Sequence, residues 1–411
     1  MTHCVTVEPD LYPGKLWTET PLIRSNHLSF LLQCDVYLKL ETLQPSQSFK
    51  YRGISHFAQH ALRTHGPDVH LVIASSGNAG IAAACVAKTL GVRCTVFLPR
   101  GVDRATMDYM KKEGAEIVVE GGFYQEALQA AKKVVQAEPK AIMVPGYDDP
   151  IVWEGHASMV HEIKRQLPCD SKPDAIFCSF GGGGLAGGII QGCKIVDWDD
   201  VPLVAVETFG SNCFYQTLSL NDGPFVGDVA FRSICEGSRT QEYCAEHGVN
   251  IAYLTSLTSK ATSLGATSPS AAVVRMALDR KGGVKSVCVP DEMAMSAALN
   301  FAGPCPSNTL VYVSAQVSPC AHTEDHKTLV ELACSATIST AYNMELFRRL
   351  VPEAQSNGQA AVVFIVCGGF KVSLDDMEEY RRIVAADLQA GGDWLVAYNG
   401  ELLEVYKHKT D

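Results

Sequence analysis

The sequence predicts an α/β protein with two open, mainly parallel sheets flanked by helices, and three observations predict it. Short β-rich runs alternate with longer amphipathic stretches from about residue 36 onward. Many of the short runs are continuously apolar, as in strands buried on both faces. Turns at 75–80 and 181–184, one bearing Asn and both rich in Gly, follow such runs and open helices. In open α/β sheets, ligands bind beyond the carboxyl ends of the strands.

Taken in order, VYLKLE (36–41) reads as a strand and YRGISHFAQHALR (51–63) as a helix. LVIASS (71–76) is a strand that feeds a small-residue helix through IAAACVAKTLG (81–91). CTVFLP (94–99), EIVVEG (116–121) and AIMVPG (141–146) are further strands, with helical spacing in TMDYMKKEGA and YQEALQAAKKVVQAE between them. AIFCSF (175–180) and LVAVET (203–208) continue the alternation, which implies right-handed crossovers. AMSAALNFA heads as one helical stretch into HKTLVE, interrupted at 302–325 by an irregular insertion with prolines beside cysteines. Asp148 and Asp149, just before a proline, read as a helix-start turn and not as a carboxylate pair.

The 411 residues are 47% hydrophobic, enough for a substantial core and a length suited to two or three domains. A formal net charge of −11 and the absence of clustered Lys and Arg argue against a nucleic-acid partner and for a small metabolite. The 15 cysteines form no C-x-x-C pair, and several, such as Cys85 and Cys178, sit inside apolar runs as packing thiols do. No basic segment precedes an apolar stretch at the N-terminus, and no apolar run nears the ~20 residues that span a bilayer. The expectation is a soluble protein of a reducing, cytoplasmic compartment with no membrane partner.

Four motifs carry chemistry. In PSQSFKYRG (45–53), Lys50 lies in a small polar turn beside Phe49. A Schiff-base lysine needs such a partly desolvated place, where its pKa falls; a solvated helix-start lysine is the plain alternative. In SSGNAG (75–80), Ser75, Ser76 and Gly77 form an anion nest at a helix start, suited to a substrate carboxylate, with Asn78 as a neutral donor. The same residues also make an ordinary cap. In FGGGGLAGG (180–188), Gly181, Gly182, Gly183 and Gly184 let backbone N–H groups approach an anion closely. Lacking G-K-[ST], the run suits one phosphate monoester, or else a flexible turn. In VFIVCGGF (363–370), Cys367 ends a strand, placed to face a ring nitrogen or simply to pack.

In this order the four motifs resemble the fold-type-II pyridoxal-phosphate (PLP) enzymes, and within them the L-serine/L-threonine dehydratase (L-serine ammonia-lyase) family. The resemblance runs from about residue 18 to 385 and includes DDPIVWEGHAS (148–158) and AVETFG (205–210). It implies a tryptophan-synthase-β-like fold. A large cofactor domain would comprise 1–42 plus 150–395 and a small domain 43–149, with 396–411 as a C-terminal tail. It further implies that Lys50 carries PLP as a Schiff base against Phe49, and that Gly181 to Gly184 hold the phosphate. Asn78 would meet the ring hydroxyl and Cys367 the pyridine nitrogen. Ser75, Ser76, Gly77 and Asn78 would bind the substrate. Glu207 would hold a monovalent cation, with K+ the candidate, together with Gly181, Ser211, Leu264 and Ala266. The implied reaction eliminates water and ammonia from L-serine or L-threonine, giving pyruvate or 2-oxobutyrate, in a homodimer.

Several residues depart from the family pattern. Ser76 stands where related racemases carry a second, opposite-face base, so Ser76 is a candidate catalytic residue and racemisation or β-replacement an alternative outcome. Leu332 and Ser335 replace the usual Pro and Gly of E-P-A-C-G-A, Phe370-Lys371 replaces the commoner Ser-Asn, and Cys213 falls where a hard oxygen donor is expected near the cation. These changes leave open a modified β-hydroxy amino acid as substrate, or a catalytically inactive binding protein. His156 reads as a satisfied, partly buried histidine, since Lys50 already covers the proton chemistry.

Overall fold

The computed structural model describes residue 12 and residues 14–168, 171–225, 239–303, 326–352 and 360–407. The chain opens with β1 (Leu22–Arg24), α1 (Asn26–Leu32), β2 (Asp35–Leu40) and α2 (Lys50–His65). Next come β3 (His70–Ala74), α3 (Asn78–Leu90), β4 (Arg93–Leu98), α4 (Arg104–Lys112), β5 (Glu116–Val119), α5 (Tyr124–Ala137) and β6 (Ala141–Met143). Then follow α6 (Pro150–Gln166), β7 (Ala175–Ser179), α7 (Gly184–Ile195), β8 (Leu203–Thr208) and α8 (Cys213–Leu218). After these run β9 (Arg239–Cys244), β10 (Val249–Leu254), α9 (Ala271–Leu278), β11 (Val284–Val289) and α10 (Asp291–Ala302). The last elements are α11 (Leu332–Ser339), α12 (Met344–Leu350), β12 (Ala361–Val366), α13 (Leu374–Ala390), β13 (Asp393–Tyr398) and β14 (Glu401–Tyr406).

Two sheets carry the fold. One has four strands in the order β5-β4-β3-β6, all parallel. The other has eight in the order β1-β2-β12-β7-β8-β11-β13-β14. Its five central strands are parallel, with antiparallel strands at both edges. The continuously apolar runs are the central strands: every residue of β3, β7, β8 and β12 is buried. Helices cover both faces of such strands, so most of their side chains are apolar on either face. Phe177 of β7 stacks on Phe364 of β12 at 4.2 Å between centroids, packing adjacent strands by their rings.

The structure corrects the sequence reading in three places. The segment from 396, expected as a tail, contains most of the β13–β14 hairpin, which extends the large sheet through β11. A separate two-stranded sheet, β9–β10, was not anticipated. The helical stretch across the insertion is two helices. α10 ends at Gly303, whose φ of 91° is outside the helical region, and α11 starts only after Glu331, an extended N-cap. Of the insertion, residues 304–325 lie outside the described residues. Its flanks meet, because the His326 N–H donates to the Phe301 carbonyl at 3.3 Å. All ten described cysteines are free thiols, as their apolar settings imply. No helix among the described residues is long and apolar enough to cross a membrane.

A neutral cluster of four buried charges lies under the start of α2. Arg52 donates to both oxygens of Glu41 (2.7 and 2.8 Å) and both oxygens of Glu162 (2.7 and 2.6 Å). Lys39 donates to Glu162 (2.6 Å), to the Thr20 carbonyl (2.6 Å) and to Gln166 (2.9 Å). The cluster joins β2, the turn after it, α2 and α6, so it fixes the helix whose first residue is Lys50.

Candidate active site

Strand order puts the four motifs in one place. In the large sheet β12 neighbours both β2 and β7, so Cys367 lies between the chain leading to Lys50 and the glycine run. In the small sheet β6 neighbours β3, so Gly146 and Tyr147 lie beside the turn at 75–78. The loop before Lys50 is zipped to the loop after β12. Ser48 bridges Gly368, the Phe49 N–H donates to the Cys367 carbonyl (3.0 Å), and the Gly369 N–H donates to the Gln47 carbonyl (2.8 Å).

Lys50 is the first residue of α2 and is half-buried. Its ammonium donates to the Gly146 carbonyl and sits 5.3 Å from the centre of the Phe49 ring. The surrounding protein disfavours charge there and lowers its pKa to about 8, opposed only by Cys367. A surface helix-start lysine would not behave this way.

The glycine run opens α7. Gly183 has φ +102°, and a β-carbon on Gly182 would overlap the Tyr147 ring. Among the described residues, no protein acceptor takes the backbone N–H groups of Gly181 to Gly184. Four unpaired donors at a helix start form an anion cradle. Tyr147 is held by the Trp153 indole, which donates to its carbonyl at 2.6 Å. Because Gly146 accepts from Lys50 while Tyr147 packs on Gly182 and Gly184, the amine and the cradle face one site.

Ser75, Ser76, Gly77 and Asn78 are all half-buried at the start of α3. The Ser75 hydroxyl accepts from the Gly77 N–H (3.3 Å), shaping the turn. The Asn78 side-chain amide donates to Glu331 (3.1 Å to each oxygen), and its carbonyl accepts from the Phe370 N–H (3.0 Å). Glu331 also accepts from the Lys371 N–H (2.6 Å), and burial raises its pKa despite these hydrogen bonds. Sequence reasoning met Glu331 only as the first letter of a degenerate motif and missed its contact with Asn78. Tyr147 was likewise missed; its only signal was its place just after a predicted strand.

Cys367 is buried, with its sulfur 3.3 Å from the Ser179 hydroxyl and the Cys334 thiol beside it. Burial first, and then Cys367, push the Cys334 thiol well above its ordinary pKa. Glu207 is fully buried, and its oxygens accept from the Phe214 and Tyr215 N–H groups (2.9 and 2.7 Å). Burial raises its pKa strongly, so a positive neighbour is what would favour its ionised form. Gly181 abuts Leu264, whose carbonyl accepts from the Ala266 N–H, and the buried Ser211 hydroxyl has no partner among the described residues. The Cys213 thiol donates to the Gly181 carbonyl at 3.4 Å, occupying an oxygen that a cation would want.

His156 is fully buried rather than partly so. Its Nδ1 accepts from the Gly53 N–H at 3.1 Å, and its ring lies 4.9 Å from that of Phe49. Its Nε2 has no partner among the described residues, and burial first, then Lys50, keep its pKa well below the ordinary value. It is a neutral support for Phe49. The motifs converge on this residue: a β-carbon on Gly53 would come within 2.5 Å of the His156 ring and the Val152 carbonyl. One on Gly155 would come within 2.7 Å of the Gly53 Cα.

An enclosed lysine amine facing a glycine cradle, built from the carboxyl ends of two parallel sheets, defines a cofactor-dependent enzyme of the pyridoxal-phosphate class. The sequence profile of the family described as pyridoxal-phosphate dependent enzyme matches residues 15–368, and the chain belongs to that family. Within it the chain stands with the fold-type-II serine/threonine dehydratases. It is 33% identical over 371 residues to the L-serine dehydratase/L-threonine deaminase of Mus musculus, covering 89% of this chain and 95% of that one. It is 28% identical over 369 residues to the L-serine dehydratase of Dictyostelium discoideum, covering 87% and 90%. The crystal structure of a fungal L-serine ammonia-lyase from Rhizomucor miehei superposes with a TM-score of 0.71 at 31% identity, covering 90% of this chain and 99% of that one. The processed threonine deaminase isoform 2 of Solanum lycopersicum shares the fold, with a TM-score of 0.68 at 19% identity over 90% and 84%.

Proposed function

We propose that this chain eliminates water and ammonia from L-serine and L-threonine, producing pyruvate and 2-oxobutyrate. The observation that carries the proposal is Lys50, an amine with a pKa lowered to about 8 and tied to Gly146, whose neighbour Tyr147 packs on the glycine run. The residues fit pyridoxal phosphate: a lysine amine for its aldehyde, four unpaired N–H groups for its phosphate, and Phe49 to flank its ring. When bound, the cofactor supplies the electron sink that stabilises negative charge at the substrate Cα.

The protein supplies placement and proton transfer. Lys50 would hold the cofactor and, once released, take the proton from Cα. Gly181 to Gly184 would hold the phosphate through main-chain donors. Asn78 would bind the ring hydroxyl by exchanging part of its bond to Glu331, and Cys367 would face the ring nitrogen. A thiol is a weak donor, so that nitrogen would stay largely unprotonated. Ser75, Ser76, Gly77 and the start of α3 would orient the substrate carboxylate. Glu207, with oxygens of Gly181, Ser211, Leu264 and Ala266, would take K+; Cys213 has to release the Gly181 carbonyl first. On the family resemblance we take the enzyme as a cytoplasmic homodimer, with a large domain of 1–42 plus 150–395 and a small one of 43–149.

Purified protein given PLP and a panel of β-hydroxy amino acids tests the reading: keto acid and ammonia should appear in equal amounts, and Lys50→Ala should abolish both. Racemised serine without keto acid would move the assignment to Ser76 as a second base. Ser76 favours that second reading in one respect, since its hydroxyl has no partner among the described residues.

A further inference from the structure

The Asn78 side-chain amide is held at both ends by segments that lie outside the small sheet. In the loop after β12 the Phe370 N–H donates to its oxygen at 3.0 Å, and the Phe370 ring is anchored on Tyr109, 4.5 Å between centroids. The amide nitrogen lies 3.1 Å from each oxygen of Glu331, the N-cap residue of α11. A backbone N–H can only donate, so the Phe370 contact decides which end of the amide is oxygen. Turning the amide over would set donor against donor at Phe370 and acceptor against acceptor at Glu331, losing both hydrogen bonds. The Glu331 carboxylate is itself built in. It is buried, and it accepts from the Lys371 N–H at 2.6 Å and from the Ser263 hydroxyl. A β-carbon on Gly369 would come within 2.1 Å of the Glu331 Cδ, so the carboxyl fills space that a glycine leaves for it.

An amide nitrogen carries two hydrogens. Glu331 takes one of them. The other has only the Ser263 hydroxyl at 3.4 Å among the described residues, and it is the one a bound ring oxygen would take. We propose that Glu331 is a positioning residue that locks Asn78 as a donor toward the cofactor's ring oxygen and so favours the ionised form of that oxygen. This rests on the reading of Asn78 as the partner of the ring oxygen. A donor stabilises an ionised oxygen over the neutral hydroxyl. The Lys371 side chain is electrostatically coupled to Glu331 and offsets its charge, so the ring oxygen meets the amide dipole and not an uncompensated anion. Glu331 acts through Asn78 and not on the substrate.

The test loads four full-length proteins with PLP: the native chain, Glu331→Gln, Asn78→Ala and the double variant. Fluorescence titration reads the affinity for PLP. Absorbance reads the share of bound cofactor in its visible band, which the ionised ring oxygen favours, against the near-ultraviolet band. Glu331→Gln keeps an acceptor for the Lys371 N–H but turns an amide donor toward the Asn78 nitrogen. Losing that charge-assisted hydrogen bond should weaken PLP binding about tenfold and lower the visible share. In the Asn78→Ala background the same change should move the affinity by less than about twofold and leave the visible share where it is, since Glu331 then has nothing to orient. Thermal unfolding checks that Glu331→Gln folds; if it does not, Gly369→Ala, whose methyl displaces the same carboxylate, takes its place in the cycle. A native affinity and visible share in Glu331→Gln overturn the assignment while leaving Asn78 in place, provided Asn78→Ala shifts both. An equal loss with and without Asn78 also overturns it, because the role of Glu331 would then be structural only. An Asn78→Ala protein with the native spectrum and affinity would sink the placement of the ring oxygen at Asn78, and a native chain that takes up no PLP would sink the cofactor reading itself; either carries this assignment down with it.

Discussion

Replacing Glu162 by Gln keeps the side chain's shape and removes one of the two negative charges that balance Lys39 and Arg52. Glu162 accepts three hydrogen bonds at 2.6–2.7 Å from these two cations, and all four members of the cluster are buried. Without it two cations face Glu41 alone, and the new amide turns a donor toward donors. Breaking a buried ion pair from one side costs about 3–5 kcal/mol. Lys39→Met should cost a similar amount, since it leaves Glu162 with one cation fewer. The double variant is neutral again, with Arg52 opposite Glu41, and should cost about 2 kcal/mol less than the two singles together. Urea unfolding followed by far-ultraviolet circular dichroism measures all four corners of the cycle. Additive single costs, or a Glu162→Gln variant within about 1 kcal/mol of the native protein, would refute the coupled cluster. Acid provides a second reading. Burial opposes ionisation of Glu162, but hydrogen bonds and charge from Arg52, with Lys39 adding to them, hold its pKa below the ordinary value. Its stabilisation is complete above the unfolded glutamate pKa of ~4.3 and is lost as pH falls through the depressed one. Glu162→Gln should lack that part of the acid transition.

Three more expectations follow from the site. The apoprotein should take up added PLP at a rate that rises through about pH 8, where Lys50 loses its proton, and stopped-flow absorbance checks this; an inflection near pH ~10, typical of a free lysine, would contradict the lowered pKa. Gly182→Ala drives a methyl into the Tyr147 ring and should weaken PLP binding by roughly 5- to 150-fold, equivalent to an overpacking cost of about 1–3 kcal/mol. Adding Tyr147→Ala should recover part of that affinity in a fluorescence titration. His156→Ala removes a buried ring and the Gly53 acceptor, so it should lower stability by about 2–5 kcal/mol. No inflection should vanish from the pH–rate profile of any active His156→Asn variant, since His156 is held neutral.

The parallel strands were legible because burial on both faces leaves no polar alternation: LVAVET over 203–208 is β8 to the residue. The turn at Asp149 was legible for a similarly local reason, because its carboxylate caps the Ile151 N–H at 2.8 Å with Pro150 behind it. The β13–β14 hairpin was not, because its residues are half-exposed and alternate weakly, and only the free edge of β11 makes a sheet of them. The site residues that local chemistry marks, Lys50 and the glycine run, could be read from spacing. Glu331 and Tyr147 could not. Each gains its meaning from a partner 35 to 253 positions away, and that pairing is set by strand order rather than by any neighbour in the chain.

The close approach of Gly53, Gly155 and His156 makes α6 a lever on the reactive amine. The two backbones touch at Gly53 and Gly155, and the buried His156 ring is bonded to the Gly53 N–H, so where α6 slides the first turn of α2 has to follow. A substitution on the far side of α6, remote from any substrate, can therefore shift the reach of Lys50. Searches for altered activity in this scaffold should include the outward face of that helix alongside the pocket.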